Sequence, residues 1–134
     1  MTNKIVHVSG KRKRSIARAT VSNGKGNIRI NKQLLEKISN NFIKMKIMEP
    51  LILAGDLAKK VNIDVIVRGG GWQGQTDASR LAIARGLVEW SKDNNLKRQF
   101  LDYDRHLLVA DVRHTEPSKP NDSKPRAARQ FSKR

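Results

Sequence analysis

Apolar and polar positions change period several times along the chain, and each change marks an element. Ile5-Val6-His7-Val8 is a short β-favouring run that stops at Ser9-Gly10. From Ser15 to Ser22 the residues alternate, with Ala17, Ala19 and Val21 on one face and Arg18 and Thr20 on the other. Asn23-Gly24-Lys25-Gly26 is a turn signal, and Ile28 and Ile30 resume the alternation beyond it. That pattern predicts a β-hairpin across the turn. Between Gln33 and Val61 the spacing becomes helical, through Leu34, Leu35 and Ile38 and then Phe42, Met45 and Met48. Pro50 is unwelcome inside a helix but suits a first turn, so Glu49-Pro50 is expected to end one helix and start another over Leu51 to Lys60. Asn62 to Arg68 alternates again as a half-buried strand.

The run Gly69-Gly70-Gly71-Trp72-Gln73-Gly74 opens the clearest helix, expected from Asp77 to about Lys92. Leu81, Ile83, Ala84, Leu87, Val88 and Trp90 fall on one arc of it, with Arg85, Glu89 and Lys92 opposite. Arg80 lies in the apolar arc. It either snorkels past the helix end or shares an anion with the amides of the glycine loop. Leu96 to Leu101 reads as one more helical turn and Leu107-Leu108-Val109 as a last strand. After Asp111 core-forming residues nearly vanish, while Pro117, Pro120 and Pro125 cluster. The resulting plan is an α+β chain with a globular domain over 1–112 and an extended basic tail over 113–134.

Charge sharpens that plan. The chain of 134 residues carries a formal +16, a self-repulsion usually offset by a polyanion. Residues 1–32 hold nine basic residues and no acid, whereas 33–112 hold twelve basic and ten acidic residues. The tail from Arg113 holds seven basic residues against Glu116 and Asp122. The middle therefore reads as an ordinary domain and both ends as contact surface. With no cysteine, disulfide scaffolds and Cys-ligated zinc are excluded. No apolar run is long enough for a membrane span and the start lacks a signal-peptide core, so a soluble intracellular protein is expected.

Gly69, Gly71 and Gly74 fit G-x-G-x-x-G between a strand and a helix. A dinucleotide fold would also need a second parallel strand ending in an acid some twenty residues on, and Glu89 and Asp93 instead lie on or just past the helix itself. No cofactor is expected, and the remaining content of the motif is a loop whose amides favour an anion, for which an RNA phosphate suffices. Asp102, Asp104 and Asp111 lack histidine partners at ligand spacing and are expected to pair with arginines, Arg105 among them, rather than to hold a metal. His7, His106 and His114 are scattered, and no nucleophile, base and orienter set is recognisable. Lys11-Arg12-Lys13-Arg14, flanked by β pattern and extended by Arg18, reads as a fixed phosphate-binding surface rather than a solvated run or a localisation signal.

Several blocks then occur in a familiar order. Ser9-Gly10-Lys11-Arg12-Lys13-Arg14-Ser15-Ile16-Ala17-Arg18-Ala19 resembles the opening signature of the universal S-nine family, the ninth protein of the small ribosomal subunit. Lys46-Ile47-Met48-Glu49-Pro50-Leu51 with Ala54-Gly55, then Gly69-Gly70-Gly71 through Gly74-Gln75, Ala82 to Leu87, and Tyr103-Asp104-Arg105 are similar to later family blocks, as is the terminus Ser132-Lys133-Arg134. The Lys46 and Tyr103 blocks resemble the archaeal and eukaryotic branch, and the short N-terminus leans archaeal. Val112-Arg113-His114 and the Pro117–Pro125 stretch depart from that branch's usual tail.

The resemblance implies a four-stranded sheet backed by helices, like the second domain of ribosomal protein S-five, followed by a basic tail. It also implies a cytoplasmic, non-enzymatic place in the ribosome. The expected partners are small-subunit rRNA in the head, peptidyl-site tRNA and neighbouring head proteins, with no membrane and no small-molecule substrate. By matched position it assigns rRNA contact to Lys11, Arg12, Lys13 and Arg18, and tRNA proximity to Lys133 and Arg134. Our reading extends the rRNA set to Arg14, Arg68, Gly70, Gly71, Arg80, Arg105 and Arg126, and the tRNA set to Arg129. The rivals are a free-standing basic DNA- or RNA-binding protein and a small enzyme using Gly69–Gly74 for a nucleotide.

Overall fold

The computed structural model describes residues 4–118 and 120. Strands β1 (Ile5–Arg12), β2 (Ser15–Asn23), β3 (Ile28–Ile30), β4 (Gln33–Leu34) and β5 (Val61–Arg68) form one mixed sheet in the order β1-β2-β5-β3-β4. Helices α1 (Asn41–Ala54), α2 (Trp72–Ser91) and α3 (Asn94–Tyr103) complete the α+β domain. The two-residue β4 makes the sheet five-stranded rather than four-stranded.

The alternations are real, but their pairing is not the expected one. β2 runs antiparallel to β5, β3 runs parallel to β5, and so β5 separates the two strands expected to form a hairpin. The Asn23–Gly26 turn crosses the start of β5 instead, where the Asn62 side-chain carbonyl accepts from the Lys25 and Asn27 amides. The tight hairpins lie elsewhere. Lys13-Arg14 joins β1 to β2, with Arg12 opposite Ser15. Asn31-Lys32 joins β3 to β4, both residues at positive φ, as a type I′ turn requires. Periodicity reports which face a residue takes, not which strand lies beside it.

Pro50 does not divide the helices. It lies buried within α1, where its missing N–H leaves only the Lys46 carbonyl without a helical donor and its ring is fully enclosed. Asn40 caps α1 by accepting from the Phe42 amide at 3.0 Å. The stretch Gly55–Lys60 that follows is a 3-10 helix, and Leu35–Lys37 and Arg105–Leu107 are single 3-10 turns. The expected strand at Leu107–Val109 is thus absent, and Leu107 is buried as part of a turn. α2 begins at Trp72, five residues before the expected start, and α3 exceeds the single turn expected.

One face of the sheet is dry. Ala17, Ala19 and Val21 of β2 and Val61, Ile63, Val65 and Val67 of β5 are buried there with Ala78, Ala82, Ile83 and Leu87 of α2. Each fully buried Ile or Leu contributes roughly 1.5–3 kcal/mol. α1 and α3 extend this layer through Ile47, Leu96 and Phe100. The opposite face of β1, β2 and β5 carries exposed residues, and it is there that the cations of β2 and β5 project.

Candidate nucleic-acid interface

Three clusters arise from the basic N-terminal segment and its neighbours. The first is the open sheet face. The register sets Lys11 opposite Ile16 and Ile16 opposite Arg68, while Arg18 lies between Ser9 and Ile66. Cations and isoleucines therefore alternate across three strands, with Ile16 and Ile66 each about half exposed. Arg14, Ile16, Arg18, Ile66, Arg68 and Gly69 line a concavity of about 430 Å³ that contains no carboxylate among the described residues. Positive side chains spaced on a rigid sheet with apolar surface between them suit an RNA backbone, since the cations replace counterions and the sheet fixes their positions.

The second cluster is the β1–β2 turn seated on the glycine loop. The Ser15 hydroxyl donates to the Gly69 carbonyl at 2.9 Å, and the Gln75 side-chain amide donates to the same oxygen at 3.2 Å. Gly69 and Gly70 have φ of 83° and 64°. A Cβ at Gly69 would stand 2.4 Å from the Arg14 carbonyl oxygen, and one at Gly70 would stand 2.3 Å from the Ser15 hydroxyl. Glycine is thus what allows the loop to hold the turn that carries Lys13 and Arg14. No strand follows β5 among the described residues, so this β-loop-α unit lacks the second strand of a dinucleotide fold.

The third cluster faces inward. Arg12, on the helix-facing side of β1, reaches Asp111 at 3.5 Å and Asp77 at 3.8 Å, and Lys46 reaches Asp77 at 3.2 Å. Arg80 is buried and pairs with Glu49 of α1 and, at 3.1 Å, with Asp104 beyond α3. It therefore does not snorkel to solvent. Asp111 also accepts the guanidinium of Arg113 at 2.6 Å and its backbone amide at 3.1 Å. Arg85, placed by periodicity on the wet face, instead donates to the carbonyls of Leu108 and Ser9. Together these contacts fasten Leu108 to α2 and Asp111 to β1.

The four cations of the Lys11–Arg14 run consequently do not share one surface. Lys11 joins the open face, Lys13 the turn, Arg14 borders both, and Arg12 enters the internal network. Arg105 is exposed, and the arginines that pair with Asp104 and Asp111 are Arg80, Arg12 and Arg113. Arg126, Arg129, Lys133 and Arg134 lie outside the described residues. Sequence reasoning missed Glu49, Asp77, Arg85 and Arg113 as members of the network. The available signals were Arg80 in an apolar arc, which calls for a carboxylate, and the expected pairing of Asp104 and Asp111 with arginines; neither says which side chains meet.

The network shifts its own acids. Burial alone would raise the Asp104 carboxyl, but the hydrogen bond from the His106 amide and the pairing with Arg80 outweigh it and hold the group low. The side-chain and then the backbone hydrogen bonds of Arg113 hold Asp111 lower still, with Arg12 adding to the effect. A carboxyl whose pKa falls on folding contributes stability that is fully present above its ordinary value of 3.8, begins to fade as pH falls below it, and is gone once pH has dropped through the depressed value. Carboxyl carbon NMR titration should therefore find both groups titrating below 3.8. Titration of either at or above that value would mean that its ion pairs do not persist in solution.

Residues 10–134 match the family model described as ribosomal protein S9/S16. The chain belongs to that family. It is 51% identical over 133 residues to the small ribosomal subunit protein uS9 of Methanococcus vannielii, covering 98% of this chain and 99% of that protein. It is equally similar, over the same shares, to the protein of the same name from Methanococcus maripaludis. Both relatives are archaeal, in agreement with the branch suggested by the Lys46 and Tyr103 blocks. Among the described residues no group of His, Cys, Asp and Glu side chains could hold a metal ion, and no helix is long and apolar enough to cross a membrane.

Proposed function

We propose that this chain is a structural constituent of the small ribosomal subunit, holding rRNA of the head and extending its basic tail to the peptidyl-site tRNA. The observation that carries the reading is end-to-end likeness to small-subunit proteins in a chain whose uncovered sheet face is cationic. Lys11, Arg18 and Arg68 take phosphates on that face, while Lys13, Arg14, Gly70 and Gly71 do so at the turn and loop. Affinity comes from counterion release, and specificity from the shape of folded RNA. Arg12 and Arg80 act indirectly, as braces of the surface rather than as its contacts. Arg105 and Arg126 add rRNA contacts, and Arg129, Lys133 and Arg134 stand nearest the tRNA. Neighbouring head proteins complete the surroundings, in the cytoplasmic ribosome, and the role requires no catalysis.

The test is sedimentation of a lysate containing the full chain or a chain lacking residues 125–134. The full chain should travel with small subunits through moderate salt. The truncated chain should still assemble, because the folded domain is intact, while peptidyl-site tRNA binding weakens severalfold. A full chain that sediments free of ribosomes, or that binds duplex DNA as well as rRNA, would overturn the reading. Failed assembly of the truncated chain would instead assign the tail to rRNA anchoring.

A further inference from the structure

Trp72 is the first residue of α2, is 50% exposed and belongs to no part of the buried core. Its ring meets that of Phe42 in a T-shaped pair, with centroids 5.9 Å apart and planes at 88°. The residue also lines a concavity of about 440 Å³, shared with Lys13, Arg14, Ser15, the Gly70–Gly74 loop and Thr115, and borders a smaller apolar hollow with Ile43, Ile47 and Val67. That volume falls within the range of small-ligand sites and admits a single nucleotide. Among the described residues the lining includes two cations and no carboxylate, in contrast to the neighbouring hollow around Arg12, where Asp77, Asp104 and Asp111 answer the positive charge.

A large ring left half in water, braced but not covered, beside cations with no acid among them matches the two halves of a nucleotide. Aromatic faces accept any base, and neighbouring cations accept its phosphate. We propose that Trp72 is a stacking platform for one unpaired RNA base, whose phosphate lies against Lys13 and Arg14. This rests on the RNA-binding reading above and names the feature recognised, a base turned out of its helix. Paired bases cannot reach the ring, because a stacked duplex keeps its base faces closed. The structure also assigns Phe42 as a positioning residue, since the T-shaped contact fixes the plane of Trp72 while Phe42 itself does not line the concavity.

The chain has two tryptophans, so Trp90→Phe leaves Trp72 as the sole indole reporter. Full-length protein with this change is titrated with single-stranded poly(A) and with poly(A)·poly(U) duplex, and its affinity for small-subunit rRNA is measured in parallel. Trp72 fluorescence should be quenched by the single strand and not by the duplex. Trp72→Ala should weaken single-strand binding on the order of tenfold with the salt slope unchanged, and Trp72→Tyr should restore most of it. Circular dichroism confirms that each variant is folded. Undiminished RNA binding by Trp72→Ala with no quenching overturns the platform and leaves the ribosomal reading intact. Loss of rRNA binding by the parent protein overturns that reading itself. Trp72 shielded in assembled subunits yet silent to free single strands would place a protein neighbour on the ring and likewise overturn the stacking role.

Discussion

Gly10→Ala is expected to cost about 2–3 kcal/mol of folding stability, the upper part of the range for overpacking a core. At Gly10, strand β1 touches helix α2 backbone to backbone. An added Cβ would stand 2.5 Å from the Ala78 carbonyl oxygen and 2.8 Å from the Ala82 amide nitrogen. Neither atom can rotate away, so β1 or α2 must shift as a body. Ala82 and Ala78 are fully buried beneath this contact, and any shift opens space along the seam. Against this stands only the small gain from a stiffer unfolded chain, at most about 1 kcal/mol. Urea unfolding should show the midpoint moving down by roughly 1–2 M at constant slope. Gly71→Ala is the matched control, since a Cβ there meets nothing within 4 Å. If both variants unfold at the parent midpoint, the helix does not lie as close to β1 as described.

Arg80→Ala is expected to cost about 3 kcal/mol, by removing one partner from a buried ionic cluster. The Arg80 side chain is only 9% exposed, whereas those of Glu49 and Asp104 are 30% and 37% exposed. The two carboxylates left behind can therefore draw on water, which places the loss at the low end for broken buried pairs. Arg80 Nε has no acceptor among the described residues, which leaves part of the burial cost of the native guanidinium uncompensated there. Arg80→Met separates charge from volume. It should recover the packing share and still leave Glu49 and Asp104 to repel each other, with the Asp104 carboxyl rising as its guanidinium partner disappears. A methionine variant as stable as the parent would show that Arg80 contributes shape alone.

These residues also show what a single sequence can and cannot disclose. The alternation of Ala17, Ala19 and Val21 against Arg18 gave the dry and wet faces of β2 correctly, because burial on one side of a sheet imposes a period of two. The partner of β2 was not legible, since Val65 lies more than forty residues away and nothing local marks it. Pro50 suggested a break because propensity was weighed without the packing that encloses its ring. Arg80 was flagged by its place among apolar residues, yet its carboxylates come from two other elements and meet it only in the folded chain. Lys11, Arg18 and Arg68 on one surface follow from strand parity. The inward turn of Arg12 follows from the same parity once β1 is known to continue through it. Trp72 passed unnoticed because a tryptophan beside a helical pattern reads as core until its exposure is known.

The placement of β5 between β2 and β3 governs how the chain emerges during synthesis. The β1–β2 hairpin can form from the first 23 residues, but its inner neighbour is complete only at Arg68, and the helix that covers Ala17, Ala19 and Val21 ends at Ser91. At roughly 5–20 residues per second, an apolar hairpin face stays open to other nascent chains for several seconds. Nine positive charges and no negative ones in residues 1–32 make any two such hairpins repel each other over that interval. The charge that makes the finished sheet face cationic thus also keeps the unfinished protein from its own copies.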